Sequence, residues 1–160
     1  MKTNRRRVRL TWYVLLAVTS GVLVLAMLPP ILPPSLQAVV RDGFAPVCHQ
    51  MPSRSLHIGS IPVAVCDRCT GIYVGLVLGV AGTGWGSDLW GMLGSYGRYV
   101  LLGAIVPLGL DWAGPLLHLW ENSPVSRILT GLLFGGVAAS YVTIRLLRRK
   151  ARASGTGGPR

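Results

Sequence analysis

Three cysteines occur in this chain of 160 residues, and all lie in two short stretches, Cys48-His49 and Cys66-Asp67-Arg68-Cys69. A Cys-x-x-Cys pair puts two sulfurs on one tight turn, and a third Cys with a His brought alongside completes a Cys3His set of the kind zinc takes tetrahedrally. Cys48, His49, Cys66 and Cys69 are therefore the expected metal ligands, with zinc the expected ion. His49 is geometrically the weakest of the four, because adjacent side chains diverge on a helix or point to opposite faces of a strand; His57 is its substitute. The rival chemistry is thiol–disulfide exchange at Cys66 and Cys69, since a Cys-x-x-Cys outside the cytoplasm tends to be oxidised. A disulfide leaves one thiol spare, whereas a metal uses all three. A third reading gives the sulfurs only packing, with Cys66 and Cys69 at a helix end and Cys48 as a small buried apolar residue.

A second set of polar residues stands out by its surroundings. Asp111 is the single acid in the apolar run between Arg98 and Glu121. At 1.5 Å per residue it lies roughly 18 Å beyond Tyr99, in the outer half of a bilayer, where an ionised group without a partner costs several kcal/mol. Arg127 is the expected partner and Arg68 the second choice. Alternatively, Gly114-Pro115 ends that helix early and leaves Asp111 at a wet interface. Were Asp111, Arg54, Arg68 and Arg127 to converge beneath the cysteine segment, the arginines would suit a phosphate or carboxylate headgroup. A metal beside them with an open coordination position could then polarise an ester or phosphate of a lipid or lipid-linked substrate. No Ser-His-Asp spacing, His-Glu-x-x-His or paired carboxylate assigns a catalytic residue, so enzymatic status stays open between an enzyme and a binding or scaffold protein. His118, Glu121 and the tryptophans Trp12, Trp112 and Trp120 read as interfacial residues.

The elements that must hold these residues are apolar. Charged residues make up only 13% of the chain, against roughly a quarter in a soluble domain, which excludes an ordinary water-soluble fold. The formal charge of +11 does not point to nucleic acid, because basic residues cluster on either side of apolar spans, at Lys2 to Arg9 and from Arg145 onward. The fold expected is an all-α bundle of four transmembrane helices with a cysteine-bearing outer loop between the first and second. The spans fall near 10–28, 70–87, 99–117 and 128–147 in one domain, followed by a disordered basic tail over 148–160. The first span carries no charge and is too long for a secretory signal, so it reads as an uncleaved anchor. The positive-inside rule puts both termini in the cytoplasm and the cysteine segment outside an inner (cell) membrane. Between the spans, Pro29-Pro30 and Pro33-Pro34 stop the first helix. Ser35 to Arg41 forms a short interfacial helix with Leu36, Val39 and Val40 on one side, and Ile61, Val63 and Val65 alternate as an extended leg against the membrane surface. Gly71, Gly75 and Gly79, repeated every four residues, face the similar series Gly131, Gly135 and Ala139, which predicts contact between spans two and four.

The same residues resemble a known signature. Cys48-His49-Gln50, then Arg54-Ser55, then Cys66-Asp67-Arg68-Cys69-Thr70-Gly71-Ile72-Tyr73-Val74-Gly75, together with Pro107, Asp111, Arg127, Thr130, Gly131 and Gly135, look like the pattern of a bacterial and archaeal membrane family catalogued as domain of unknown function 2085. The likeness covers roughly residues 40 to 140. It implies a membrane protein and a role for the Cys and His positions, but no activity. Two departures are visible: Trp112 and Pro115 replace a Gly and a Gln, and Pro124 stands where an Asn follows the serine.

Overall fold

The computed structural model describes residues 2–84 and 89–153. Helix α1, Lys2–Met27, ends where Pro29 and Pro30 remove amide donors, and a short 3-10 turn over Pro29–Ile31 redirects the chain. Helix α2, Pro34–Phe44, starts on a proline whose missing N–H would be unpaired at that position in any case. After a second 3-10 turn, Pro52–Arg54, a small antiparallel hairpin pairs β1 (His57–Ile58) with β2 (Ile61–Pro62). Gly59 takes φ +66° in its two-residue turn. Helices α3 (Asp67–Thr83), α4 (Leu89–Leu116) and α5 (Pro124–Ala153) follow among the described residues. Ser123 opens α5 by accepting the Ser126 amide at 3.1 Å, with Pro124 at the first helical position.

Among the described residues three stretches, Arg6–Met27, Tyr96–Leu116 and Pro124–Lys150, are long and apolar enough to cross a membrane. The fourth expected span corresponds to α3, whose 17 residues rise only about 25 Å. That is short of a hydrocarbon core of about 30 Å, and the expected continuation over residues 85–87 lies outside the described residues. α5 runs to Ala153, six residues beyond the expected boundary at 147, and the remainder of the expected tail, 154–160, is likewise outside the description.

The period-two reading of Ile61, Val63 and Val65 needs correction. Only Ile61–Pro62 is strand, and Val63, Ala64 and Val65 are all buried. The Ala64 amide donates to the Ala26 carbonyl at 2.9 Å, so this segment joins a core formed by the end of α1, Phe44 of α2, Cys48 and Tyr73 of α3. Neither face of it is left for a surface.

α3 packs most extensively on α5, and the reason is the absence of side chains. A Cβ at Gly71 would run into the Ile128 carbonyl oxygen, at Gly75 into that of Leu132 and at Gly79 into that of Gly136; from the other side, Gly131 meets the Arg68 carbonyl and Gly135 that of Ile72. The two backbones are in contact along the whole stripe, as the small-residue spacing predicts. Buried Ser140 donates to the Gly136 carbonyl at 2.7 Å and reaches Gly79 across the seam at 3.2 Å. α1 joins through Trp12, whose indole Nε1 donates to the Val80 carbonyl at 2.9 Å.

Candidate metal centre

The three sulfurs come together. Cys66 caps the start of α3 and Cys69 follows one turn later on the same face. Cys48 arrives from the end of α2, its amide donating to the Phe44 carbonyl at 3.0 Å. The ligand atoms of Cys48, Cys66 and Cys69 all lie within 4.8 Å of one another. Thiolates on one tetrahedral zinc, each about 2.3 Å from the ion, stand about 3.8 Å apart, so the set fits a metal with little movement. All three are free of disulfides; Cys48 is buried and the other two half-buried.

The Cys48 stretch is held by side chains on either side of it. Gln50 adopts the left-handed region (φ +49°) and its amide donates to the Arg41 carbonyl in α2. Arg41 in turn donates through Nη2 to the Pro62 carbonyl at 2.8 Å, and Ser55 closes on the Met51 carbonyl at 2.8 Å. The electrostatics favour thiolate at Cys48. Hydrogen bonding from the Cys66 and Cys69 thiols, with the Cys66 amide 3.2 Å from its sulfur, draws its pKa far below the usual thiol value against the opposing effect of burial. The same hydrogen bond to Cys48, followed by that to Cys66 and by burial, pushes Cys69 up. A cluster that shares protons in this way releases them as a cation arrives.

Both residues between Cys66 and Cys69 are ion-paired, each to a different helix. Arg68 pairs with Asp111 of α4, binding one carboxylate oxygen through Nη2 and reaching the Asp111 carbonyl at 3.2 Å. Ser126 donates to the other carboxylate oxygen at 2.9 Å, and Asn122 donates to the Asp111 carbonyl at 2.6 Å. Asp111 is 7% exposed inside a helix that continues to Leu116, so Gly114-Pro115 does not expose it.

Its partner is Arg68, not the expected Arg127. Asn122 grips Arg127 at two points, Nε to its side-chain oxygen at 2.9 Å and Nη2 to its carbonyl at 3.0 Å, which leaves Nη1 turned to Asp67 at 3.7 Å. That pair is too long for a hydrogen bond. Burial accordingly outweighs Arg127 and raises the Asp67 pKa.

Of the other expected ligands, His49 lies outside the sulfur set. It is exposed and lines a cavity of about 310 Å³ that also touches Cys48, Cys66, Cys69, Arg54 and Arg68, as the divergence of neighbouring side chains requires. His57 is exposed on β1, its Nδ1 2.9 Å from the Ser55 carbonyl oxygen, and does not join the set either. A larger cavity of about 690 Å³ adjoins, lined by Ser53, His118, Glu121 and Asn122 and sharing Arg54 and Arg127 with the first.

A match to a known family runs from residue 48 to residue 141, more than half of the chain, and its description is a predicted membrane protein. The chain belongs to the membrane protein family DUF2085. The DUF2085 segment holds all three cysteines, both ion pairs and the glycine seam, and leaves out α1 and α2. An uncharacterized protein of Methanocaldococcus jannaschii is 32% identical over 96 residues, covering 60% of this chain and 61% of the relative. The chain thus spans less than two thirds of that relative's length. No solved structure matches it.

Sequence reasoning missed Asp67, Gln50 and Asn122. Asp67 occupies an x position of Cys-x-x-Cys, where only its burial marks it as more than a spacer. Gln50 and Asn122 carry no period or motif of their own chemistry. Gln50 did stand inside the quoted signature, which was the one available signal.

Proposed function

We propose that this DUF2085 protein holds a zinc ion on Cys48, Cys66 and Cys69 at the extracytoplasmic end of a four-helix membrane bundle. The single observation that carries the reading is the convergence of three thiols, from segments 18 residues apart in sequence, within 4.8 Å of one another. Zinc suits three soft thiolates and leaves one tetrahedral position. His49, on the wall of the adjoining cavity, is the candidate fourth ligand; otherwise that position is open to substrate and the ion serves as a Lewis acid. In this reading α3 is the fourth crossing, and the basic residues at Lys2 to Arg9 and after Arg145 keep both termini in the cytoplasm of an inner-membrane protein.

Elemental analysis of the protein purified in detergent is expected to return about one zinc per chain, lost in each of Cys48→Ser, Cys66→Ser and Cys69→Ser. His49→Ala is expected to keep the stoichiometry at reduced affinity. Metal-free protein in which Cys66 and Cys69 form a reducible disulfide would instead favour the second reading, a thiol oxidoreductase using those two residues. Labelling with a membrane-impermeant thiol reagent on intact cells, after chelation and mild reduction, tests the orientation.

A further inference from the structure

The two cavities meet at Arg54 and Arg127, which line both. Arg54 sits in the 3-10 turn just after the Cys48 stretch, and among the described residues no carboxylate pairs with it and no acceptor takes its side-chain donors. Arg127 is held along one edge by Asn122, while its Nη1 has only the long contact to Asp67. Two guanidinium groups therefore present unused donors to one space from two different elements.

We infer that this junction binds a phosphate group, the headgroup of a lipid or lipid-linked molecule or a free phosphate ester, between Arg54 and Arg127. A guanidinium stays charged at any relevant pH and offers a planar fork of donors. A carboxylate, itself planar, is answered by one such fork; donors arriving from two directions suit a tetrahedral anion. Charge places the anion at the junction and not deeper in either cavity. Arg68 is already answered by Asp111, and Arg127 in part by Asp67 at 3.7 Å; Glu121 stands in the wall of the larger cavity and the cysteines in that of the smaller, so the least answered positive charge is that of Arg54, beside Arg127 at the junction. Val47, Met51 and Trp112 give the smaller cavity an apolar side, fitting the start of an acyl or prenyl chain, and all three are exposed. The inference deepens the metal reading by naming the substrate class beside it, and rests on that reading only for the ion's presence there.

The test uses the full chain in detergent, titrated with dioctanoyl phosphatidic acid, with dioctanoylglycerol as the neutral control and inorganic phosphate as competitor. Quenching of the tryptophan fluorescence is the signal, since Trp112 borders the site. Saturable binding of phosphatidic acid, absent for the diacylglycerol, is expected to weaken roughly tenfold or more in Arg54→Gln. Arg54→Lys should fall between, and Arg98→Gln, a loss of equal charge elsewhere, should have no effect. Competition by phosphate would assign the recognition to the phosphate alone, and its failure would assign it to the lipid ester. Equal binding by wild type and Arg54→Gln, or of phosphatidic acid and diacylglycerol, would overturn the inference. Zinc is measured on the same samples: zinc-free protein that binds in an Arg54-dependent way would sink the metal reading alone, and zinc-loaded protein without such binding would sink this one alone.

Discussion

α3 works in two ways along its length. Over Gly71, Gly75 and Gly79 it contributes only backbone, and the seam against α5 closes because no side chain intervenes. Over Cys66 to Cys69 every residue contributes a functional group, two to the sulfur cluster and two to ion pairs with α4 and α5. The seam reaches into the second region at Arg68, whose carbonyl lies against Gly131 of α5. The seam thus fixes the distance at which Arg68 and Asp67 meet the helices that answer them. The absence of side chains in one region sets the geometry of the charged and sulfur-bearing groups in the other.

The comparison breaks first at the seam. Gly75→Leu drives a side chain into the backbone of Leu132 and Gly136, and backbone cannot yield as a flexible side chain does. Loss of folded protein, by at least about 3 kcal/mol, is expected, with zinc lost at the same time. Thermal unfolding in detergent together with metal content checks it, and a Gly75→Leu protein that melts like wild type would mean the helices are not in contact.

A smaller effect is expected at the ion pair. Asp111→Asn strands Arg68, whose side chain is 21% exposed, and should cost about 2 kcal/mol. Replacing both, Arg68→Met with Asp111→Asn, should recover much of the loss, because a neutral pair leaves no buried charge. If the double variant is no better than the single, the charge pairing is not what holds α3 to α4.

The smallest effect belongs to Gln50. Gln50→Ala removes the bond to Arg41 and should cost about 1 kcal/mol, while Gln50→Gly should cost less because glycine adopts φ +49° without strain. Zinc affinity should follow the same order, so an alanine variant equal to or better than glycine would show that the turn does not position Cys48.

Much of the architecture was legible because lipid leaves few choices. Apolar runs, proline stops and the four-residue glycine spacing foretold α1, α4, α5 and the α3–α5 contact, since in a membrane composition and small-residue spacing nearly dictate helices and their seams. α3 was less legible, for its described length falls short of the span that its hydropathy implied. The leg after Pro62 was misread because period two describes a surface strand, whereas this segment is buried by the end of α1 on one side and α3 on the other.

What the sequence by itself determined is the chemistry available: three sulfurs in two clusters, one acid in an apolar run and a surplus of arginines. Only the tertiary structure decided the pairing. Which arginine answers Asp111 depends on how Asn122 orients Arg127, and which groups join the sulfurs depends on the packing of the Cys48 stretch against the start of α3, which brings Cys48 to Cys66 and Cys69 and leaves His49 outside the set. The physical reason is that residue type fixes what a group can bond, while the partner it reaches is set by backbone contacts between segments far apart in the chain, and no local spacing records those.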